Sequence, residues 1–469
     1  MKKTTSEKTA SQRANSWSGS KNDVKKELLV NIHTMIDIKI LRENPELVRH
    51  NLKYKWVTWV DIEKVWELDV LRIDLQKKLD LLRNERNQIS GSENGQKPSP
   101  EVIEKWRKLK TQISELESEY KSVDEEFLRL FKQIPNIATE DTPLGLTEDE
   151  NVEVKKWGTI KEFDFKPLNH FEIAEKFDWI DKDRAAKVSG ARFAYLKGEL
   201  VRLQLALMSW VMDELTNEDV LQQVIQQEWL NVSSKPFLPI LPPYMIKTAP
   251  YDAMDRLHPT EERYKIEGQD LWLQGSAEHV LGSMHQDEVF KEQDLPLRYI
   301  GYATSFRWEA GTYGKDMEWI IRMHQFDKLE MESFTTAESS HDEHLFFSAL
   351  QEYLMQQLEL PYRKLQKCTF DIGKPNAKWS DIDVWLPGQW KYRETHTADY
   401  MTDYQARRLN TRVRRKSWDL ELIHTNDATA FACGRALVGI LENYQQVDGS
   451  VEIPEVLRPY MGRKTYIGK

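Results

Sequence analysis

The chain has 469 residues, with 66 Lys and Arg against 76 Asp and Glu for a formal net charge of −10, and is 40% hydrophobic and 30% charged. That balance excludes a wholly disordered or collagen-like chain, and the length suits two or three domains with a substantial core. No run of about 18 uncharged apolar residues occurs, so no membrane span is expected. Two cysteines, Cys368 and Cys433, are too few for a disulfide framework or a four-ligand zinc site, which favours a reducing, cytoplasmic compartment. A uniformly basic nucleic-acid binder is excluded, but a local basic patch is not.

Residues 1–34 are rich in Ser, Thr and Lys and lack the apolar core of a secretory signal, so they read as a disordered extension. Met35 opens a more structured segment. Between 60 and 134 the periodicity is clear. Val65, Leu68, Arg72, Leu75, Leu79, Leu82, Arg86 and Ile89 are spaced alternately by three and four, as are Val102, Trp106, Leu109, Ile113, Leu116, Tyr120, Val123, Phe127 and Leu130. Each set places a seam on one helix face. The stretch GSENGQKPSP (91–100) between them reads as a turn, so the expectation is an antiparallel helical hairpin. At 1.5 Å per residue, helices of about 30 residues make an arm about 45 Å long. Its distal half, 77–110, carries nine Lys and Arg against five Asp and Glu, whereas its base carries five against eleven. Such a tip suits contact with phosphate, because bound Lys and Arg release counterions. A solvated coiled-coil face is the plainer reading of the same charges.

After Pro135 an acidic, weakly periodic linker leads into a second part, giving expected domains at 35–140 and 141–469. The second part alternates helices with strands at 295–310, 320–334, 381–387 and 404–415, then ends on an amphipathic helix around 436–444. This order predicts an α+β domain built on an antiparallel sheet flanked by helices. Within it, Phe306-Arg307-Trp308-Glu309 reads as a strand placing Arg307 and Glu309 on one face, and 322–330 alternates His324, Phe326, Lys328 and Glu330 on one face. Phe431-Ala432-Cys433-Gly434-Arg435 opens a helix with a further arginine.

These segments together resemble the three motifs of class II aminoacyl-tRNA synthetases, and specifically the seryl-tRNA synthetase family. The resemblance runs from Met35 to about Gly462, through IDIKILRENPELVRHNLK (36–53), LDLLRNERNQIS (79–90), AAKVSGARF (185–193), FRWEAGTYGKD (306–316), IIRMHQFDKLEM (320–331), TDYQARRLN (402–410) and LENYQQVDGSVEIPEVLRPYMG (441–462). It implies activation of L-serine with ATP and transfer of serine to tRNA(Ser), with tRNA(Sec) left open as a second acceptor. Ser276, Ala277 and Glu278 fall where the family holds the amino acid, Glu278 for the ammonium group. Glu330 and Thr429 fall on serine-contacting positions. Arg307, Trp308, Glu309, Phe326, Glu394, Thr395, His396, Thr397 and Arg435 fall at ATP, with Phe326 against adenine and Arg435 on the distal phosphates. Arg307, Arg435 and Glu394 are the expected catalytic set, and Glu394 and Thr397 the expected Mg²⁺ ligands. The family also implies a homodimer, joined around Pro239–Tyr244, and an arm that binds the long variable arm of the tRNA.

The chain departs from the family's pattern at Thr395–Tyr400, where a Ser-rich run with Cys and Asn is usual, and at Asp427-Ala428-Thr429, where Asn-Gly-Ser is usual. Tyr400 and Asp427 are therefore expected to change the amino-acid pocket. Two other functions fit parts of the pattern. A ligase acting on a non-tRNA acceptor would lack the long arm, and an inactive tRNA-binding paralogue would not need Arg307, Glu309, Glu394 and Arg435. Finally, the 20 glycines fall short of the roughly 33 that average usage predicts, while tryptophans number 16. Trp56, Trp319, Trp390 and Trp418 stand where the family usually has glycine. Because some bacteria read UGA as glycine and other codes read it as tryptophan, these four are expected to be glycines translated under the wrong code. Trp385 and Trp106, the latter in the seam, read as true tryptophans.

Overall fold

A computed structural model describes residues 36–91, 99–308 and 320–469. The extension 1–34, most of the turn at 91–100, Glu309 and Trp319 lie outside the described residues. Helices α1 (Ile38–Glu43) and α2 (Pro45–Tyr54) begin where the sequence supplies caps. Asp37 accepts from the Lys39 N–H at 2.8 Å and Asn44 from the Leu47 N–H at 3.2 Å, with Pro45 at the first position, where no N–H is needed. Helices α3 (Ile62–Gly91) and α4 (Pro100–Phe131) then pack along each other, as their heptads require. Cross-helix ion pairs Arg72–Asp124 (3.1 Å), Lys105–Glu85 (2.9 Å) and Arg83–Glu117 (2.7 Å) set the antiparallel register.

The seam is apolar at Val65, Leu68, Leu75, Leu79, Leu109, Ile113, Phe127 and Leu130, all buried. Arg72 sits in the same seam. It pairs with Asp69 at 2.8 Å and lies over the Phe127 ring at 4.3 Å. Trp106 does not join the seam's interior. It is 39% exposed, with Lys110 over its ring, because a seam two helices wide cannot cover an indole. At the base of the arm, α1 and α2 bury Ile38, Leu41, Val48 and Leu52 against Val65, Phe127 and Phe131. Polar pins fasten this base to the rest of the chain. Lys55 Nζ donates to the carbonyls of Gly373 (3.2 Å) and Asn376 (2.6 Å), and Asn136 Nδ2 to those of Pro375 (2.8 Å) and Met401 (2.7 Å).

The remainder is built on an eight-stranded sheet. Its strands are β1 (Val152–Trp157), β2 (Leu238–Ile240), β3 (Leu297–Phe306), β4 (Gln325–Thr335), β5 (Tyr362–Gln366), β6 (Lys378–Leu386), β7 (Lys391–Thr402) and β8 (His424–Ala432). They lie in the order β1-β5-β6-β7-β8-β4-β3-β2, antiparallel throughout except for the parallel edge pair β2–β3. One face is apolar: Leu329, Met331, Ile382, Val384, Ala398, Ala428 and Ala430 pack with three helices, α5 (Glu199–Leu215), α7 (Ser340–Gln357) and α9 (Cys433–Asn443). By strand alternation the other face receives Lys328, Glu330, Glu332, Asp381, Asp383, Asp399, Asp427 and Thr429. The chemistry thus lies on the face that no core helix covers.

Three strand expectations need correction. The strand read at 320–334 begins only at Gln325, which leaves His324 outside it. Residues 404–415 do not form one strand. Tyr404–Leu409 is a helix, α8, which ends at Asn410 in the left-handed region (φ 54°), and only Arg412–Arg414 is extended. Tertiary contacts decide this, since Arg407 pairs with Asp37 (3.2 Å) and Asp403, and Arg408 with Asp252. The strand expected through Arg307 and Trp308 stops at Phe306.

Three of the tryptophans read as glycines have left-handed backbones: Trp56 (φ 57°), Trp390 (φ 54°) and Trp418 (φ 72°). Trp229 (φ 54°) joins them. Trp385, by contrast, is buried on β6 with ordinary strand geometry.

Candidate active site

The sheet's polar face floors a cavity of about 400 Å³. Its far end is made by β7. Glu394 and Thr397 are three residues apart, so regular alternation would point them to opposite faces. A bulge resolves this: Asp383 pairs with Glu394 and Ile382 with His396, leaving Thr395 as the extra residue. Glu394, Thr395 and Thr397 then all line the cavity, while His396 turns to the core. The His396 ring packs edge-on to Phe431 at 4.6 Å, with Nδ1 2.8 Å from the Thr395 hydroxyl. His396 is therefore not placed at the cavity, and the Thr395 hydroxyl donates to the Ile382 carbonyl at 3.1 Å.

At the start of α9, Gly434 allows close approach of residues 320–321, since a Cβ there would lie 2.9 Å from the Ile320 carbonyl. Arg435, one residue on, donates to the Glu394 carboxylate at 2.6 Å. Burial pushes the Glu394 carboxyl up, but Arg435, Lys367 and Arg307 outweigh it and hold it below its ordinary pKa. Lys367 lines the same end, bridging Asp371 and Asp381, each at 3.0 Å. In the middle, Arg307 Nε donates to the Gly275 carbonyl at 2.8 Å, with its guanidinium 5.4 Å from the Phe326 ring centroid. Trp308 stands outside: its indole is half exposed and stacks on His324 at 5.2 Å.

The inner end is the most polar. Lys328 Nζ pairs with Glu330 and donates to the Ser276 hydroxyl at 3.0 Å, which itself donates to Glu330 at 3.4 Å. Glu278, at the start of the short helix α6 (Glu278–Leu281), pairs with Arg256 at 2.8 Å. Burial again opposes ionisation of Glu278, and Arg256 reverses it, so the carboxyl is held well below its ordinary value. Asp427 faces Asp399 directly across β7 and β8. Burial, then the Glu278 charge, push Asp427 well above the usual carboxylate range. Glu332 shifts the same way for the same two causes. Thr429 contacts Thr397 at 3.2 Å, and Ala277 is buried against Leu281 and Ala303. Tyr400 does not reach the cavity, because alternation turns it toward α7, where its hydroxyl meets Ser340 at 3.0 Å.

Arg307, Phe326, Glu394, Thr395, Thr397, Thr429, Arg435 and Glu278 thus converge on one cavity, with Ser276, Ala277 and Glu330 buried at its inner end. Sequence reasoning did not single out Arg256, Arg263, Lys367 or Asp399, which also line it. Arg256 and Arg263 sit in aperiodic loops that give no pattern to read.

Comparison with known proteins fits this geometry. The Seryl-tRNA synthetase N-terminal domain family matches residues 35–138, and the tRNA synthetase class II core domain (G, H, P, S and T) matches 262–444. A serine–tRNA ligase of Dictyoglomus turgidum is 40% identical over 435 residues, covering 91% of this chain and 98% of that protein. The chain belongs to the seryl-tRNA synthetase family. Another seryl relative, from Nitrosopumilus maritimus, is 37% identical over 92% of this chain and its own full length. Among solved structures, a Pyrococcus horikoshii seryl-tRNA synthetase complexed with ATP is 36% identical with a TM-score of 0.82, covering 92% of this chain and 99% of that one. A cytoplasmic serine–tRNA ligase of Naegleria fowleri in complex with AMP is 28% identical with a TM-score of 0.78, covering 93% and 98%.

Proposed function

We propose that this seryl-family synthetase activates L-serine with ATP and transfers it to tRNA(Ser), residues 141–469 performing the chemistry and 35–140 binding the tRNA. The observation that carries the reading is one cavity with a cationic, oxygen-rich end at Arg307, Arg435 and Glu394 and a carboxylate-rich end at Glu278 and Glu330. ATP occupies the first and the amino acid the second. The serine carboxylate attacks the α-phosphorus in line, an O–P bond forms as the bond to the β-phosphate breaks, and pyrophosphate leaves. The terminal ribose hydroxyl of the tRNA then attacks the acyl carbon and AMP leaves. No protein nucleophile is required, because the attacking carboxylate is already ionised. The protein positions the two groups and neutralises charge on the transferring phosphoryl.

In this reading Arg307 contacts the α-phosphate, Phe326 offers its ring to adenine, and Arg435 leaves Glu394 for the distal phosphates. Glu394 and Thr397 supply hard oxygen donors on one face, a set that fits Mg²⁺. Bound there, Mg²⁺ would neutralise phosphate charge. Glu330 and Ser276 recognise the serine hydroxyl, and a buried carboxylate left unpaired by an analogue without that hydroxyl gives the discrimination. The edge strand β2 and Leu241, Tyr244 and Met245 beyond it leave apolar surface exposed, which suits a symmetric homodimer. Among the described residues no helix is long and apolar enough to cross a membrane, and we place the enzyme in the cytoplasm with its tRNA.

ATP–pyrophosphate exchange tests the activity. Exchange should depend on L-serine and fall at least tenfold with L-alanine in its place. Equal rates with serine and alanine would contradict the assignment. Light scattering on the same sample should give twice the 55.3 kDa of one chain, and a monomer mass at micromolar concentration would remove the dimer.

A further inference from the structure

Between β5 and β6 the chain turns through Gly373-Lys374-Pro375-Asn376, a run of turn-forming residues. One side of this turn belongs to the base of the arm. Five consecutive carbonyls, 373–377, receive donors from residues 55–139. Lys55 Nζ reaches those of Gly373 (3.2 Å) and Asn376 (2.6 Å), and Asn136 Nδ2 that of Pro375 (2.8 Å). The Asn136 and Thr139 N–H groups reach Lys374 and Ala377, each at 2.9 Å. Lys55 is buried and pairs with no carboxylate among the described residues, so these two carbonyls stand in for the water its ammonium has lost. The other side of the turn belongs to the cavity. Asn376, fully buried, donates through Nδ2 to Asp399 Oδ1, and Asp399 lines the cavity. Lys374 Nζ holds Asp255 at 3.0 Å, and the next residue, Arg256, is the cation on Glu278. The Ala377 N–H donates to the Tyr400 carbonyl at 2.7 Å, next to Asp399 on β7.

We propose that the turn 373–376 is a positioning element for serine activation: Lys55 and Asn136, from the helical domain read as the tRNA-binding part, fix its backbone, and Asn376 and Lys374 pass that placement to Asp399 and Arg256. The inference rests on the reading of the cavity as the site of serine activation. It gives the N-terminal domain a part in the first half-reaction, which involves no tRNA. A buried donor or acceptor that loses its partner must reorient or recruit water, and a shift of about 1 Å at a reacting site costs up to about a hundredfold in rate.

The test compares wild type, Lys55→Met, Asn376→Ala and the double variant, each as the full chain. KM for L-serine and for ATP is measured by ATP–pyrophosphate exchange without tRNA, and charging of serine tRNA is measured alongside. Each single variant should raise KM for serine about fivefold or more, the effect of one lost buried hydrogen bond. KM for ATP should stay within about twofold, because Arg307, Phe326 and Arg435 keep their places. Charging at low serine should fall only as far as exchange does, since the arm itself is intact. The double variant should lie within about twofold of the weaker single variant, because both changes break one chain of contacts. Thermal melts report folding, and if Lys55→Met does not fold, Asn376→Ala decides alone, since it leaves all five carbonyl bonds in place. An unchanged KM for serine in Asn376→Ala, or equal rises in both KM values, would overturn the inference. So would intact exchange with a loss of charging alone, since the turn would then only dock the arm. Absence of serine-dependent exchange in wild type would contradict the activity itself and take the inference with it.

Discussion

Trp229 and Trp418 show how a single residue type can conflict with the backbone it occupies. Both sit at positive φ, both are largely exposed, and neither places its indole in a core. The left-handed region costs an ordinary side chain about 1–2 kcal/mol, and only glycine enters it freely. Trp390 is strained in the same way, its ring resting edge-on against Trp385 at 5.3 Å. Trp56 differs in having a bond to lose, because its indole N–H donates to the Gly145 carbonyl at 2.9 Å. These four fit the idea of glycines read as tryptophan. Trp229→Gly and Trp418→Gly should each stabilise the protein by about 0.5–1 kcal/mol, read as a rise in chemical-denaturation midpoint, whereas alanine at the same positions should give little. UGG codons at these positions in the gene would end the idea. The sequence alone pointed to three of these positions through a resemblance. Trp229 needed the dihedral angle.

At the scale of elements, the hairpin was legible because a heptad is a local pattern, and even the polar residue in its seam was visible as Arg72. Its partners were not. Asp69 lies three residues before Arg72 on the same helix, but Asp124 comes from the other helix, and Asp69 has a second cation, Arg42, from α1. Burial pushes the Asp69 carboxyl up, and bonds from Arg42 and Arg72 more than reverse it, so the folded pKa lies below the unfolded one. Stability from this group is therefore present above the unfolded value of about 3.9 and is lost as pH falls through the folded value. Arg72→Met should destabilise the arm by about 2–3 kcal/mol near pH 7, toward the low end for breaking a buried pair because Arg42 still holds Asp69. The difference from wild type should shrink as pH falls toward 3, and circular-dichroism melts across that range check it. A penalty that stays constant with pH would assign the loss to packing on Phe127 instead. The bulge at Thr395 taught the opposite lesson. It sets which side chains of β7 face the cavity, yet nothing in Arg-Glu-Thr-His-Thr announces it, and a regular strand would have sent Glu394 and Thr397 to opposite faces. The helix at 404–409 was missed for a related reason. Its sequence alternates well enough for a strand, and ion pairs to Asp37 and Asp252, distant in sequence, override that pattern.

For the whole molecule, the proposed function separates two tasks in space. The sheet's polar face holds the cavity, and the arm carries its basic charge at the end away from the base, which docks through Lys55 and Asn136. The base keeps its own core of α1, α2, Phe127 and Phe131, so the distal arm can be removed without opening it. Excising 80–117 and joining the ends through a short glycine linker leaves Arg72, Asp124 and Phe127 in place. The most direct measurement is therefore charging of serine tRNA, alongside serine-dependent ATP–pyrophosphate exchange, by the full chain and by the excised chain. The full chain should do both, and the excised chain should keep exchange within about threefold while losing charging by at least about a hundredfold, the loss expected when backbone and shape contacts to RNA disappear. Charging that survives the excision would contradict the arm's role, and a full chain that exchanges pyrophosphate with serine yet charges no serine tRNA would contradict the account as a whole.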